Sequence, residues 1–320
     1  MKAEARASWD VNAIKSFALK YWIYIAFAVL FVILSVASPS FLTVDNMLNV
    51  LRQVSINGII AVGMTFVIIT GGIDLSVGSI LALSGVIACS LAHPDTYPVF
   101  VAVGAGLLVG LLCGVINGTI IAYGKVAPFI VTLGMLTIAR GATLVFTGGR
   151  PVINLSDAYN NIGGGYIQGI PVPIYVLIFV ILIGMFLLNF TRFGRHVYAV
   201  GGNELAARVS GLNPARVKIA VYAISGLLSG LAGIILSSRV MAGSPVAGEG
   251  YELDAIAAVV IGGSSLAGGV GKIGGTVIGA LIIGFMNNGL DLLNVSSYYQ
   301  QIVKGLIIIA AVLLDRKSVQ

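Results

Sequence analysis

Long apolar stretches without a single charge dominate this sequence, and they limit its fold more than any motif does. Val99–Tyr123 runs for 25 residues without Asp, Glu, Lys or Arg, and Tyr21–Ala37 and Pro173–Phe190 have the same character. A helix that crosses a bilayer needs about 20 mostly apolar residues. Across 320 residues, 58% are hydrophobic and 9% charged, where a soluble domain carries roughly 25% charge. So little charge cannot cover a water-facing surface. The chain therefore reads as an all-α polytopic membrane protein, and collagen-like, disordered and disulfide-scaffold classes are excluded. Cys89 and Cys113 stand in apolar runs without CxxC spacing and read as small buried hydrophobes. The formal net charge of +6 is a matter of loop placement in such a chain and does not point to nucleic acid.

About ten transmembrane helices are expected, some short or broken: Tyr21–Ala37, Val54–Thr70, Val77–Ala92, Val99–Tyr123, Pro128–Phe146, Pro173–Phe190, Ile219–Ser238, Leu253–Gly263, Ile273–Asn287 and Tyr298–Leu314. The amphipathic stretch Phe41–Gln53 is expected to lie at the interface. Residues 1–20 then form a cytoplasmic N-terminal segment, 21–314 one membrane domain and 315–320 a cytoplasmic tail. Lys and Arg favour the cytoplasmic side. With both termini inside, the inner segments hold 13 Lys+Arg and 5 acids, and the outer segments 3 and 7. The orientation is N-in and C-in. Residues 22–38 also have the outline of a signal-peptide core, with Ser35-Val36-Ala37 as a small-residue site. The apolar stretch is long for that role, and cutting there would discard a span.

Gly106, Gly110, Gly114 and Gly118 recur every four residues, which puts them on one helical stripe where another backbone can approach. Gly226/Gly230 and Gly271/Gly275/Gly279 repeat the device. An offset of 197 residues aligns Gly71-Gly72-Ile73 with Gly268-Gly269-Val270, and Gly78-Ser79-Ile80 with Gly275-Thr276-Val277. Both members fall at inner loops, so the repeat is a parallel one, of a kind common in transporters.

Catalytic motifs are missing from the sequence: there is no HExxH, no GxSxG and no Walker lysine loop. Gly269-Val270-Gly271-Lys272-Ile273-Gly274 satisfies GxGxxG but lies between two apolar segments, where no βαβ unit can form. The chain is not expected to be an enzyme or to bind a cofactor or metal. The polar residues inside spans include Asn57, Thr65, Thr70, Asn117, Thr132, Thr137, Arg140, Asn287 and Asn288, with Asp74 at a span's edge. Neutral amides and hydroxyls outnumber ions, which suits a neutral, hydrogen-bonding solute. Asn57, Thr70, Asp74, Asn117, Arg140, Asn287 and Asn288 are the candidates for a solute path. Helix–helix hydrogen bonding accounts for the same residues, and Arg140 fits an ion pair as well as a pathway. Lys304 is expected to snorkel to the outer interface.

The loop 191–218 is the longest and most basic inner segment. Within it Asn203 is a good N-cap, Ala206 and Ala207 favour helix, and Gly211 can end the helix in the left-handed conformation. Glu204 and Arg208 are spaced i, i+4. Asn213-Pro214 starts a second helix leading into the next span. A two-turn helix outside the membrane is too short to be stable unless it docks on something.

The pattern Glu204-x-Ala206-Ala207-x-x-x-Gly211 resembles the EAA-type loop of ABC importer permeases, whose short coupling helix docks into a cleft of the ATPase subunit. Gly71-Gly72-Ile73-Asp74-Leu75-Ser76-Val77-Gly78-Ser79, Gly250–Val260, Asn287-Asn288-Gly289-Leu290 and Ser296-Ser297-Tyr298-Tyr299-Gln300 are similar to ribose-type monosaccharide permeases. The resemblance covers residues 40 to 315 or so. It implies a permease subunit of an ATP-driven importer for ribose or a related sugar, working by alternating access in a bacterial inner membrane. It implies three partners besides the lipid bilayer: a second permease copy, a cytoplasmic ATPase that binds ATP and Mg, and a periplasmic sugar-binding protein. Asn203, Glu204, Ala206, Ala207, Arg208 and Gly211 would then couple to the ATPase. A branched-chain amino acid permease is the rival within the family, and an ion- or proton-coupled secondary transporter the rival outside it.

The orientation has a direct test. Cysteine at Ser156 or Ser244 is expected to react with an impermeant thiol reagent on intact cells, and cysteine at Ser210 or Ser318 only after the membrane is opened. Labelling of position 318 from outside overturns the even span count.

Overall fold

The computed structural model describes residues 11–318; residues 1–10 and 319–320, the ends of the expected N-terminal segment 1–20 and tail 315–320, lie outside the described residues. The described residues form thirteen helices and one hairpin: α1 (Val11–Ala37), α2 (Val44–Ile69), α3 (Val77–Leu91), α4 (Val99–Gly124), α5 (Pro128–Thr147), α6 (Asp157–Gly164), β1 (Tyr166–Ile167), β2 (Ile170–Pro171), α7 (Val172–Phe190), α8 (Arg192–Gly202), α9 (Glu204–Val209), α10 (Pro214–Val240), α11 (Tyr251–Ile261), α12 (Ile273–Leu292) and α13 (Ser297–Ser318). Each expected apolar segment coincides with one helix. Six of them, α2, α4, α5, α7, α10 and α12, are long and apolar enough to cross a membrane.

One expectation changes, and two loops gain structure beyond what was expected of them. Phe41–Gln53 does not form a separate interfacial stretch: Thr43 caps α2, its hydroxyl accepting from the Asn46 amide at 3.4 Å, and one helix runs on to Ile69. No proline interrupts it, so the amphipathic turns simply extend the span. The loop 147–172, which carries no motif, holds α6 and the antiparallel hairpin, with Tyr166 opposite Pro171. The loop 191–218 is mostly helical, containing α8, α9 and the first turn of α10.

The bundle has two distinct ends, one carrying α6 and the hairpin and the other carrying α8 and α9. At the hairpin end α6 is plugged onto α10. Tyr159 is fully buried, its hydroxyl 2.8 Å from Ser237 Oγ. Ser238 Oγ donates to the Tyr159 carbonyl at 2.6 Å and accepts from the Gly163 amide at 2.7 Å.

The helix α2 lies at the centre, buried along most of its length, with α10 beside it and α4, α5 and α7 at the periphery. In a bilayer apolar surface is not what separates inside from outside, so size takes over as the sorting property. On α4 the glycines at 106, 110, 114 and 118 are buried, while Leu108, Leu112, Ile116 and Ile120 are exposed. Two stripes of the same period thus sit on opposite faces. A Cβ on Gly110 would overlap the Gly226 carbonyl, one on Gly114 the Tyr222 carbonyl, and one on Gly118 would fall 2.7 Å from the Ile219 Cα. The glycines at 226 and 230 of α10 return the contact.

The repeat's two turns meet at the α9 end. Gly268 and Gly71, both with positive φ, are packed on one another, and the Gly269 amide donates to the Ile69 carbonyl at 2.8 Å.

Gly114→Ala is expected to lower the melting temperature of the detergent-solubilised protein and its accumulation in the membrane, since overpacking costs about 1–3 kcal/mol. Gly104→Ala, on the same helix but with nothing within 4 Å of the added methyl, should leave both unchanged. Equal behaviour of the two variants refutes the packing account.

Candidate functional site

After α10 the chain turns back into the bundle instead of leaving it. Met241 takes the left-handed conformation at φ 55°, and the loop 241–250 then runs down the side of α3. Gly243 packs against Val86 and Cys89 near the hairpin end of α3, and Gly248 against Gly78 and Leu81 near its start. Eight residues of α3 separate these contacts, a descent of about 12 Å at about 1.5 Å per residue. At its top the loop is fastened by a backbone bridge between Gly243 and Val152, at 2.8 and 2.9 Å. From this depth α11 runs only 11 residues to the α9 end. Irregular backbone at such a depth is tolerated where protein covers it, and discontinuous helices of this kind recur at transporter sites. Ser244, expected on an outer loop, is a half-buried residue of this re-entrant segment.

Both cations that the sequence leaves in the membrane hold this one element. Arg140 of α5 donates from Nη1 to the carbonyls of Pro245, at 2.6 Å, and Ala247, at 3.0 Å. On the other side Lys304 of α13 lies 3.0 Å from both carboxylate oxygens of Asp254. Asn57 of α2 adds a donor to Asp254 Oδ2 at 3.4 Å. Asp254 is 5% exposed. The snorkelling expected of Lys304 is therefore wrong: a carboxylate lies within its reach, and leaving that carboxylate unpaired inside the bundle would be costly. Between the two attachments the element presents Val246, Glu249 and Leu253 on the outer surface of the chain, with Glu252 half-buried. Gly78 makes room for it, since a Cβ there would overlap the Gly248 carbonyl and come within 2.6 Å of Glu252 Oε2.

Counting Glu252 and Asp254 among outer acids misses them as site residues. The signal was an aspartate one turn into an apolar helix and a lysine inside another.

The other path candidates do not converge on one lining. Asp74 is fully buried and holds the start of α3, accepting from the Ser76 amide (3.0 Å), Ser76 Oγ (2.5 Å) and Ser225 Oγ (2.8 Å). Asn117 donates to Ser76 Oγ at 2.9 Å, so Asp74 and Asn117 belong to one knot between α3, α4 and α10. Thr70 donates back to the Val67 carbonyl at 2.8 Å. Asn288 and Asn46 exchange two hydrogen bonds, at 3.0 and 2.9 Å, which fasten α12 to the start of α2. Asn287 is buried on α12. Of these candidates Asn57 and Arg140 are the two that hydrogen-bond to the re-entrant element.

At the opposite end α9 lies against the bundle by one face only. Asn203 caps it, its Oδ1 accepting from the Ala206 amide at 2.9 Å, and Gly211 ends the turn at φ 85°. Glu204 pairs with Lys218 of α10 at 2.7 Å and with Arg208 at 3.5 Å. The closer partner is the one that sequence spacing could not supply. Ala207 is buried, whereas Leu205 is 74% and Val209 89% exposed. These two side chains lie i, i+4 on one face.

Comparison with known proteins matches residues 46–312 to a family model described as branched-chain amino acid transport system / permease component. The chain is 53% identical to the ribose import permease protein of Haemophilus influenzae, over 91% of each chain. It is 54% identical to the ribose import permease protein of Bacillus subtilis, over 92% of each. The D-allose transport system permease protein of Escherichia coli is 43% identical, over 99% of this chain and 97% of that one. No solved structure matches the chain.

The Lys304–Asp254 pair has an asymmetric mutational signature. Lys304→Met leaves a buried carboxylate uncompensated and should destabilise the protein by about 3–5 kcal/mol. Adding Asp254→Leu removes the orphaned charge and should recover much of that loss. Melting temperatures of the two variants check this; a double variant no better than the single one means that the pair is not what holds α13 to α11.

Proposed function

We propose, from the premise that this chain belongs to the branched-chain amino acid transport system / permease component family, that it is the membrane subunit of an ATP-driven importer for a monosaccharide, ribose or a close relative. The family description names amino acids. The relatives that match nine-tenths or more of both lengths are named for sugars, and the solute follows them. The pairing of Asp254 with Lys304 argues against proton- or ion-coupled transport through Asp254.

The observation that carries the reading is α9, a short helix fixed at both ends that turns Leu205 and Val209 to the solvent. A six-residue helix gains nothing by exposing two apolar side chains unless a partner covers them. We assign that partner as a cytoplasmic ATPase, which binds the ATP and Mg. The α9 end is then cytoplasmic and the hairpin end external, with ten helices in the membrane and both termini inside.

A periplasmic sugar-binding protein delivers solute at the hairpin end. A second copy of the chain covers the face between α5 and α13. Glu249 is exposed there on a loop that has descended into the bundle, where contact with lipid would be costly. Across a two-fold axis, that face of each copy forms the path, and Glu249, Glu252, Arg140 and Asn57 offer the hydrogen-bonding groups that a polyhydroxyl solute requires. ATP-driven closure of the ATPase moves α9, and the bundle alternates between openings at its two ends.

Gly211→Val would force a β-branched residue into the left-handed region, which strains the turn after α9. Glu204→Lys would replace the contact to Lys218 with a repulsion. Each variant is expected to reach the membrane in normal amount, to recover little ATPase in a pull-down and to lose sugar uptake. Full recovery of both partner and uptake with both variants removes α9 as the docking element.

A further inference from the structure

We infer that Tyr198 of α8 is a positioning residue for transport, passing the movement of α9 to the turn between α11 and α12 and so to the re-entrant element. This inference rests on the ATP-driven reading above and names the route within it.

Three contacts define the route. First, α8 and α9 are joined by the single residue Asn203, which serves both helices. Its amide donates to the Ala199 carbonyl of α8 at 3.1 Å, and its Oδ1 accepts from the Ala206 amide of α9 at 2.9 Å. The elbow between the two helices is therefore fixed at both sides, and a push on α9 rotates α8 with it.

Second, α8 is seated on the bundle by one face. Val197 and Val200 are buried, and Phe193 stacks on Phe66 of α2 with ring centroids 6.1 Å apart.

Third, α8 also meets both turns of the internal repeat. Tyr198 Oη donates to the Gly271 carbonyl at 2.7 Å. A Cβ on Gly201 would overlap the Ile69 carbonyl and fall 2.7 Å from the Gly269 amide. That amide in turn donates to the Ile69 carbonyl.

These turns are not passive ends. Gly71 leads through Asp74 into α3, against which the loop 241–250 descends. The turn at Gly268–Gly271 joins α11, which the same loop feeds, to α12. Of the contacts between α8 and this turn, the Tyr198 hydroxyl makes the directional one. It can hold the turn in one arrangement and release it in the other, whereas the glycine contacts resist approach in both.

The test uses the complete importer, with permease, ATPase and sugar-binding protein reconstituted in liposomes. Tyr198→Phe removes one hydroxyl and no packing. Gly202→Ala, a neighbour with nothing within 4 Å of the added methyl, is the control. With Tyr198→Phe the ATPase should co-purify at the wild-type level and the melting temperature should stay unchanged. The maximal uptake rate should fall roughly fivefold, as for the loss of one neutral hydrogen bond made in only one of two states, with the half-saturating sugar concentration unchanged and more ATP consumed per sugar moved. Gly202→Ala should match the wild type throughout.

Unchanged uptake and unchanged ATP per sugar with Tyr198→Phe overturn the inference. So does a lost ATPase or a lowered melting temperature, because the hydroxyl then has a structural role only. A wild-type complex in which sugar uptake does not depend on ATP overturns the ATP-driven reading itself, and is seen before either variant is made.

Discussion

Where α4 crosses α10, main chain meets main chain. Glycines at 110 and 114 of one helix and at 226 and 230 of the other leave no side chain between the two backbones. Without a hydrophobic driving force between helices in lipid, the attraction available is close packing, and close packing needs small residues. The same device repeats where Gly85 of α3 meets the Gly233 carbonyl of α10 and where Gly279 and Gly275 of α12 meet the carbonyls of Ala258 and Gly262. With α3, α4 and α10 drawn together on one side and α11 and α12 on the other, α2 is left enclosed between them. The remaining architecture is built around that enclosure.

Charge is then admitted to the bundle only where it does positional work. Arg140 and Lys304 come from helices at the flanks, and each is satisfied by the re-entrant segment, one through backbone carbonyls and the other through a carboxylate. A loop that descends into the bundle exposes carbonyls that its own secondary structure cannot satisfy, and the Arg140 guanidinium supplies the missing donors. The Asp74 knot solves the same problem at the start of α3, where the first amides of a helix lack partners. Fixing these two broken segments gives the interior a defined shape. The bundle around them stays apolar.

The two ends of the molecule differ in kind. The hairpin end is closed over by α6, locked to α10 through Tyr159 and Ser238. The α9 end instead offers a rigid elbow with apolar side chains turned outward. That elbow rests through α8 on both glycine turns of the internal repeat, through the Tyr198 hydroxyl and the close approach of Gly201 to Ile69. A packed core of this kind has low compressibility, so the α9 end is joined to the starts of α3 and α12 without slack.

Much of this was legible along the chain. Ten apolar segments marked ten helices, six of them long and apolar enough to cross a membrane, because a bilayer demands about 20 apolar residues per crossing whatever their order. The glycine stripe announced its packing face through period alone, and Asn203, Gly211 and Asn213 punctuated the α9 elbow because capping is a local matter of a side chain and its nearest amides. What stayed hidden depends on contacts between residues far apart in sequence. Lys304 lies 50 positions from Asp254 and 247 from Asn57, and nothing in the flanking residues of any of the three predicts that they meet. The helix α6 and its hairpin carry too few residues for a periodic signal, and their order comes from burial against α10. The loop 241–250 reads as an ordinary connection because its turn back into the bundle is directed by Arg140 and by the space above Gly78. Sequence determined which segments become apolar helices and how the local turns are made, since those follow from composition and nearest neighbours. Tertiary structure alone decided which polar groups share a site, because only packing brings a cation on α13 to a carboxylate on α11.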